Sequence, residues 1–253
     1  MQGGLTVWPV PGLPLVQAGD DLAGLIGGAL AAAEVRLLDG DVLVVSSKII
    51  SKSEGRFVRL GTVQPSAEAH DLAGRTGKDP RMVQLVLDES RGVSRVGKHV
   101  LVTTHRLGFT SANAGIDQSN VADGEETALL LPLDPDASAD ALRQKLEAHF
   151  GVGLGVVITD THGRPFRMGN VGVAIGVSGV VALLDLRGQP DLYGRVLKIT
   201  LSGYADLIAS AAHLVTGEGA EGRPVVLVRG LAHVGETGRA TDLVRPPEQD
   251  MYR

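Results

Sequence analysis

The chain of 253 residues has no cysteine. Disulfides, thiolate-held zinc, iron–sulfur clusters and a thiol nucleophile are therefore excluded, and any metal must sit on oxygen or imidazole. Aromatic residues are scarce, with one Trp, three Tyr and four Phe, so backbone geometry and tight turns matter more than ring stacking. No apolar run approaches the roughly 18 residues of a membrane span. The opening Met1-Gln2-Gly3-Gly4-Leu5-Thr6-Val7-Trp8 has no basic segment followed by an apolar one. The expectation is a cytoplasmic protein without membrane association. Positive charge is not in excess: 24 Lys and Arg stand against 29 Asp and Glu, a net charge of −5. The two signs are interspersed, which disfavours nucleic acid as a partner.

The familiar nucleotide and hydrolase motifs are also missing. Gly74-Arg75-Thr76-Gly77-Lys78-Asp79 is too short for a phosphate loop, and Asp79 stands where a magnesium-binding Ser or Thr is required. Gly217-Glu218-Gly219-Ala220-Glu221-Gly222 has the spacing of a dinucleotide fingerprint. It follows a helical pattern and precedes a strand, the reverse of the needed order. It reads as a helix cap and turn, or as a turn whose amides and Glu218 face a phosphate or metal. No nucleophile elbow and no His-x-x-x-His pair occurs.

Glycine is abundant, at 34 residues, about twice average usage. The length predicts one large domain or two intimately packed ones, and the absence of a fixed-period repeat argues against a solenoid. The pattern predicts strands over 5–11, 41–46, 155–159, 171–175, 179–186 and 224–229, with β structure around 99–104 and 109–112. Helices are predicted after Asp20-Asp21, over 79–89 with Pro80 in the first turn, over 140–149 ending at Gly151, and over 204–215. Residues 132–139 read as a connector. The tail after Gly230 reads as polar and Pro-rich, mobile beyond Arg245. The expected class is an α+β or mixed α/β fold, with residues 1–245 as one catalytic unit of two packed subdomains and 246–253 as a polar tail.

Two segments carry the chemistry. Ser111-Ala112-Asn113-Ala114-Gly115-Ile116-Asp117-Gln118-Ser119-Asn120 permits close backbone approach to a ligand and offers a carboxylate and an amide three positions apart. An Asx-rich turn is the rival reading. Asp160-Thr161, at the end of a predicted strand, is followed by Arg164 and Arg167. A carboxylate with nearby guanidinium groups suits a phosphate or metal site, and ordinary turn chemistry is the alternative.

In their order, these segments resemble the coenzyme F420-0:γ-glutamyl ligase family. So do Gly12-Leu13-Pro14, DVLVVSSKIISKSEG at 41–55, TGKDP at 76–80, Glu89-Ser90, His105-Arg106, ITDTHGRPFRMGNVGVAIG at 158–176 and EGRPVVLVRG at 221–230. The resemblance spans nearly the whole chain. It implies a homodimeric ligase with a two-part mixed-sheet fold that uses GTP to activate the carboxylate of F420-0 as an acyl phosphate, which the amine of L-glutamate attacks. Two Mg2+ or Mn2+ ions, with K+ as a further cation, are implied. By the same resemblance Asp117, Asp160, Thr161 and Glu218 hold metal. Leu13, Pro14, Leu15, Val16, Ser47, Lys52, Asn120 and the turn Thr216, Gly217, Glu218, Gly219, Ala220, Glu221, Gly222, Arg223 contact GTP. Lys52, Arg164 and Arg167 suit charge neutralisation during phosphoryl transfer. Lys52 as a solvated charge, and the two arginines as partners of local carboxylates, remain the alternatives. His162 and Glu218 depart from the aromatic residue and the Gln expected in many relatives. A paralogous ligase acting on another acid, and a noncatalytic deazaflavin- or nucleotide-binding protein, are the rival functions.

Overall fold

The computed structural model describes residues 4–121 and 124–250. In chain order its elements are β1 (Thr6–Pro9), α1 (Leu22–Ala32), β2 (Asp41–Ser46), α2 (Ser47–Ser53), β3 (Phe57–Arg59), α3 (Ala67–Thr76), α4 (Pro80–Asp88), β4 (Ser90–Gly97) and β5 (Val100–His105). They continue with β6 (Thr110–Ala112), β7 (Thr127–Leu129), α5 (Pro135–Phe150), β8 (Leu154–Arg164), β9 (Arg167–Ser178), β10 (Leu183–Asp185), β11 (Leu201–Gly203), α6 (Tyr204–Thr216) and β12 (Val225–Arg229). The fold is α+β, as the pattern predicts.

Five strands form the main sheet in the order β1-β12-β2-β8-β9. Only the β2–β8 pair is parallel. The central strands are apolar on both faces because both are covered. Leu43, Val45, Val156, Ile158, Val225 and Leu227 pack with residues of α1 and α5. Val42, Val44, Val157, Val226 and Val228 pack with α6 on the other side. Each such side chain, fully buried, contributes about 1.5–3 kcal/mol.

The edge strand β9 is closed by the two helices that flank it. Asp136 and Asp206, in the first turns of α5 and α6, accept hydrogen bonds from the Val177 and Ala174 N–H groups, both at 2.8 Å. Backbone donors that would otherwise invite another strand are thus satisfied. The helices come this close because β9 carries glycine at the contacts. A Cβ at Gly172 would lie 2.5 Å from the Ala209 carbonyl oxygen, and one at Gly176 2.3 Å from that of Pro135.

Residues between β2 and α5 build smaller cores of their own. Leu72, Val83, Val86 and Leu101 join α3, α4 and β5, and Leu60, Met82, Leu85 and Ala128 form a second cluster. Strands β4, β5 and β6 make a three-stranded antiparallel sheet, and β3 pairs with β7.

The structure corrects several expectations. The connector over 132–139 is half helix: Asp134 caps the Ala137 N–H, Pro135 takes the first turn, and α5 begins there. Asp21 stands at the start of α1 but caps nothing with its side chain, which reaches Lys145 at 3.1 Å. Strand β8 does not stop at Thr159. Its antiparallel partner β9 extends the ladder through Asp160, Thr161 and His162 to Arg164. Asp160 instead lies just past the end of β2, whose last pairing is Ser46 with Thr159. The predicted strands over 171–175 and 179–186 become the long β9 and the short β10. The segment beyond Gly230 is tied to the protein, since Ala240 is buried against the α6 side of the sheet with Leu231, Val234 and Leu243. In the tail, residues 247–249 form a short 3-10 turn, and residues 251–253 lie outside the described residues. Among the described residues no helix is long and apolar enough to cross a membrane.

Candidate active site

At the parallel β2–β8 junction, α2 begins directly after β2. Ser46 caps it by accepting the Lys48 N–H. Lys48 and Lys52 are four residues apart, hence on one helical face, and both ammonium groups reach the 117–120 segment. Lys48 Nζ lies 2.6 Å from Asp117 Oδ2 and donates to Ser119 Oγ at 3.0 Å. Lys52 Nζ donates to the Asn120 carbonyl at 2.7 Å. Burial and the neighbouring Lys48 cation hold the Lys52 ammonium below its ordinary pKa, with Asp117 opposing them. Burial pushes the Asp117 carboxyl up, but Lys48 and the Ser119 N–H outweigh it and leave it below the usual aspartate range.

The opposite wall depends on a left-handed run. Asn113, Ala114 and Gly115 have φ of 51°, 53° and 65°, a conformation that costs non-glycine residues energy and occurs where the surroundings fix it. Asn113 Oδ1 accepts the Leu101 N–H at 3.0 Å and anchors the run. Gly115 then fits where a Cβ would stand 2.7 Å from Leu131 Cδ1 and 3.3 Å from Asp160 Oδ2.

Together these segments enclose a cleft of about 640 Å3. Of the residues singled out from the sequence, Leu15, Val16, Ser47, Lys52, Asp117, Asn120, Asp160, Thr161 and the whole turn from Thr216 to Arg223 line it. Leu13 and Pro14 do not, and Leu13 packs against the core beneath α1. Nor do Arg164 and Arg167, which face each other at the end of the β8–β9 hairpin. Arg164 lies four residues beyond Asp160 along an extended strand, roughly 13 Å away, and donates to the Met168 carbonyl. Lys48, which carries no motif signal of its own, also lines the cleft. Its i, i+4 spacing from Lys52 becomes visible once 47–53 is recognised as helix.

Each nominated carboxylate faces a nitrogen: Asp117 faces Lys48, Asp160 Oδ2 lies 3.2 Å from His162 Nε2, and Glu218 Oε1 lies 3.2 Å from His213 Nε2. The His162 contact is close but misaligned, and that buried nitrogen makes no hydrogen bond. Among the described residues no three His, Asp or Glu side chains stand close enough to cage one ion. Separate oxygen donors lining one cleft nevertheless suit magnesium, which commonly takes one or two carboxylates and completes its shell with water and substrate phosphates.

The F420-0:Gamma-glutamyl ligase family model matches residues 12–230. The chain belongs to that γ-glutamyl ligase family. Among its relatives, the coenzyme F420:L-glutamate ligase of Methanothermobacter thermautotrophicus is 48% identical over 99% of both chains. Those of Archaeoglobus fulgidus and Methanopyrus kandleri are 49% and 47% identical, covering 98% of this chain and 96% and 98% of their own.

In this chain the Asp160 wall is backed by a buried network. Phe109 stacks on His105 at 5.0 Å and meets His162 at 4.9 Å. His105 Nδ1 accepts the Leu107 N–H, which leaves its proton on Nε2 in the neutral ring, 3.6 Å from Glu89 Oε2. Burial would raise the Glu89 carboxyl, but His105, Arg106 and Arg56 hold it at about 2. Glu89, His105 and Arg106 thus support the layer on which His162 rests.

Proposed function

We propose that the chain ligates L-glutamate to coenzyme F420-0 with GTP as the phosphoryl donor, with any further glutamates added through γ-linkages. The observation that carries this reading is the single cleft in which two lysines, four carboxylates and a glycine-rich turn converge from separate segments. The names of the relatives support the glutamate and F420 substrates. The γ-phosphoryl group leaves its bridging oxygen for the acceptor carboxylate, releasing GDP. The glutamate amine then attacks the acyl carbon, phosphate departs, and the amine loses a proton to give the amide. Such phosphoryl transfer rests mainly on positioning and charge neutralisation.

Lys48 and Lys52 neutralise phosphate charge from one side, and the amides of the 216–223 turn, with Asn120, position the nucleotide. Asp117, Asp160, Thr161 and Glu218 would hold Mg2+ or Mn2+, which would supply charge neutralisation for the phosphoryl group there. K+ as an additional cation belongs to the same proposal. Ser47 Oγ, 3.5 Å from Asp160 Oδ1, orients that carboxylate. The reaction places the protein in the cytoplasm, where GTP is available. The homodimer implied by the resemblance fits the excursion between β10 and β11, which exposes Leu192 fully, and the outer face of α6, where Leu207 and Leu214 are exposed at heptad spacing. Sedimentation at assay concentration tests it, and a fully active monomer refutes it.

The deciding experiment is mass spectrometry of F420-0 incubated with protein, GTP, glutamate and divalent metal, omitting each in turn. Glutamyl additions with GDP and phosphate release only in the complete mixture support the reading. An unchanged acceptor in that mixture overturns it.

A further inference from the structure

A second cavity, of about 240 Å3, lies behind the first, around the edge of β9. Its lining includes Phe109, Thr110, His162, Asp206, Arg245 and Asp250. It is too small for a deazaflavin or a nucleotide, since sites for drug-sized ligands run from about 300 to 1,000 Å3. At about 30 Å3 per water it holds roughly eight waters, the scale of one amino acid.

The lining carries charge of both signs. Arg245 supplies a guanidinium suited to a carboxylate, while Asp206 supplies an anion suited to an ammonium. Thr110 adds a hydroxyl, and Phe109, Val173 and Ile175 give the apolar walls. No described residue lines both the cavity and the cleft, but the two are adjacent along the β8–β9 ladder, where Thr159 and Asp160 of the cleft pair with Ala174 and Val173 of the cavity. His162 lines the cavity and Asp160 lines the cleft. As i and i+2 residues of β8 they share a face, and their side chains are 3.2 Å apart.

We propose that this second cavity binds the amino-acid substrate and presents its amine past His162 to the acyl group formed beside Asp160. The inference rests on the ligase reading and adds where glutamate sits. Two routes then serve one centre: the triphosphate enters along α2 and the 216–223 turn, and the amino acid enters from the β9 edge.

The test is steady-state kinetics with each substrate varied in turn, on the wild type, Arg245→Gln and Thr110→Val. Arg245→Gln is expected to raise KM for glutamate at least about tenfold, and Thr110→Val about threefold, with KM for GTP and for F420-0 within about twofold of wild type. A merely structural role would not confine the change to one substrate. If Arg245→Gln fails to fold, the exposed Thr110 decides the matter. Unchanged glutamate KM in the folded variants, or a rise in the F420-0 or GTP KM instead, overturns the inference and leaves the ligase reading intact. A wild type that makes no glutamylated product overturns both.

Discussion

Lys48 Nζ sits 2.6 Å from Asp117 Oδ2, an ammonium placed on a carboxylate that lines the cleft. The pair joins α2 to the 117–120 turn across the mouth of the cleft, so the same contact that orders this wall occupies the oxygen a divalent ion would use. The pair's pH dependence follows. The Asp117 carboxyl is held below its ordinary value, so its stabilisation is fully present above the unfolded aspartate pKa of about 3.9 and is lost as pH falls through the depressed value. Both side chains are partly exposed, which limits the contribution to about 1 kcal/mol or less. Lys48→Met is expected to lower Tm by about 2–4 °C at pH 7, with the difference from wild type shrinking below pH 4. Thermal melts across pH 3–8 check this, and a difference that grows toward acid refutes it.

Lys52 makes its one described hydrogen bond to a backbone carbonyl at the cleft mouth. Lys52→Met is expected to raise KM for GTP at least about tenfold, or roughly 1.4 kcal/mol, while Tm changes by no more than a few degrees. Loss of folding without a GTP defect would instead assign Lys52 a structural role.

Asp160 and Glu218 differ in what surrounds them. Asp160 is held between Ser47, Gly115 and His162, whereas the Glu218 side chain is about half exposed. Asp160→Asn keeps the shape and loses the charge, so it is expected to preserve Tm and cut turnover by roughly a hundredfold or more, about 2.7 kcal/mol of barrier. Glu218→Gln retains a carbonyl oxygen and should cost less. Turnover under saturating Mg2+ and Mn2+ measures both, and a larger loss for Glu218→Gln reverses their assigned weights.

Gly176 allows α5 to press on β9. Gly176→Ala would drive a methyl group to within 2.3 Å of the Pro135 carbonyl oxygen, displacing the helix turn that carries Asp136. A loss of at least about 3 kcal/mol is expected, read by denaturant titration. Stability within 1 kcal/mol of wild type would show that the α5–β9 contact relaxes easily.

Local pattern was sufficient for elements whose signal is internal. Asp41–Ser46 is a strand because its unbroken apolar run of four, Val42 to Val45, needs cover on both faces. Pro80–Asp88 is a helix because Asp79, Pro80 and the spacing of Met82, Val83 and Val86 agree. The seven-residue helix over 47–53 and the extension of β8 past Thr159 have no such signal. The first is shorter than two turns and takes its stability from packing, and the second exists because β9 folds back to pair with it. Arg164 and Arg167 are near Asp160 in sequence, and the same extension carries them away from it in space.

The sequence by itself determined the chemistry available: no thiol, hard oxygen donors in glycine-rich turns, and a motif order shared with the γ-glutamyl ligases. Tertiary structure alone decided which of those groups meet. Lys48 reaches Asp117 across 69 positions, and Gly115 is driven against Asp160 by a left-handed run whose cause, the anchoring of Asn113 by Leu101, lies in another strand. Residue type fixes charge and donor capacity locally. Distance between groups depends on how the sheet and its covering helices close, a property of the whole chain.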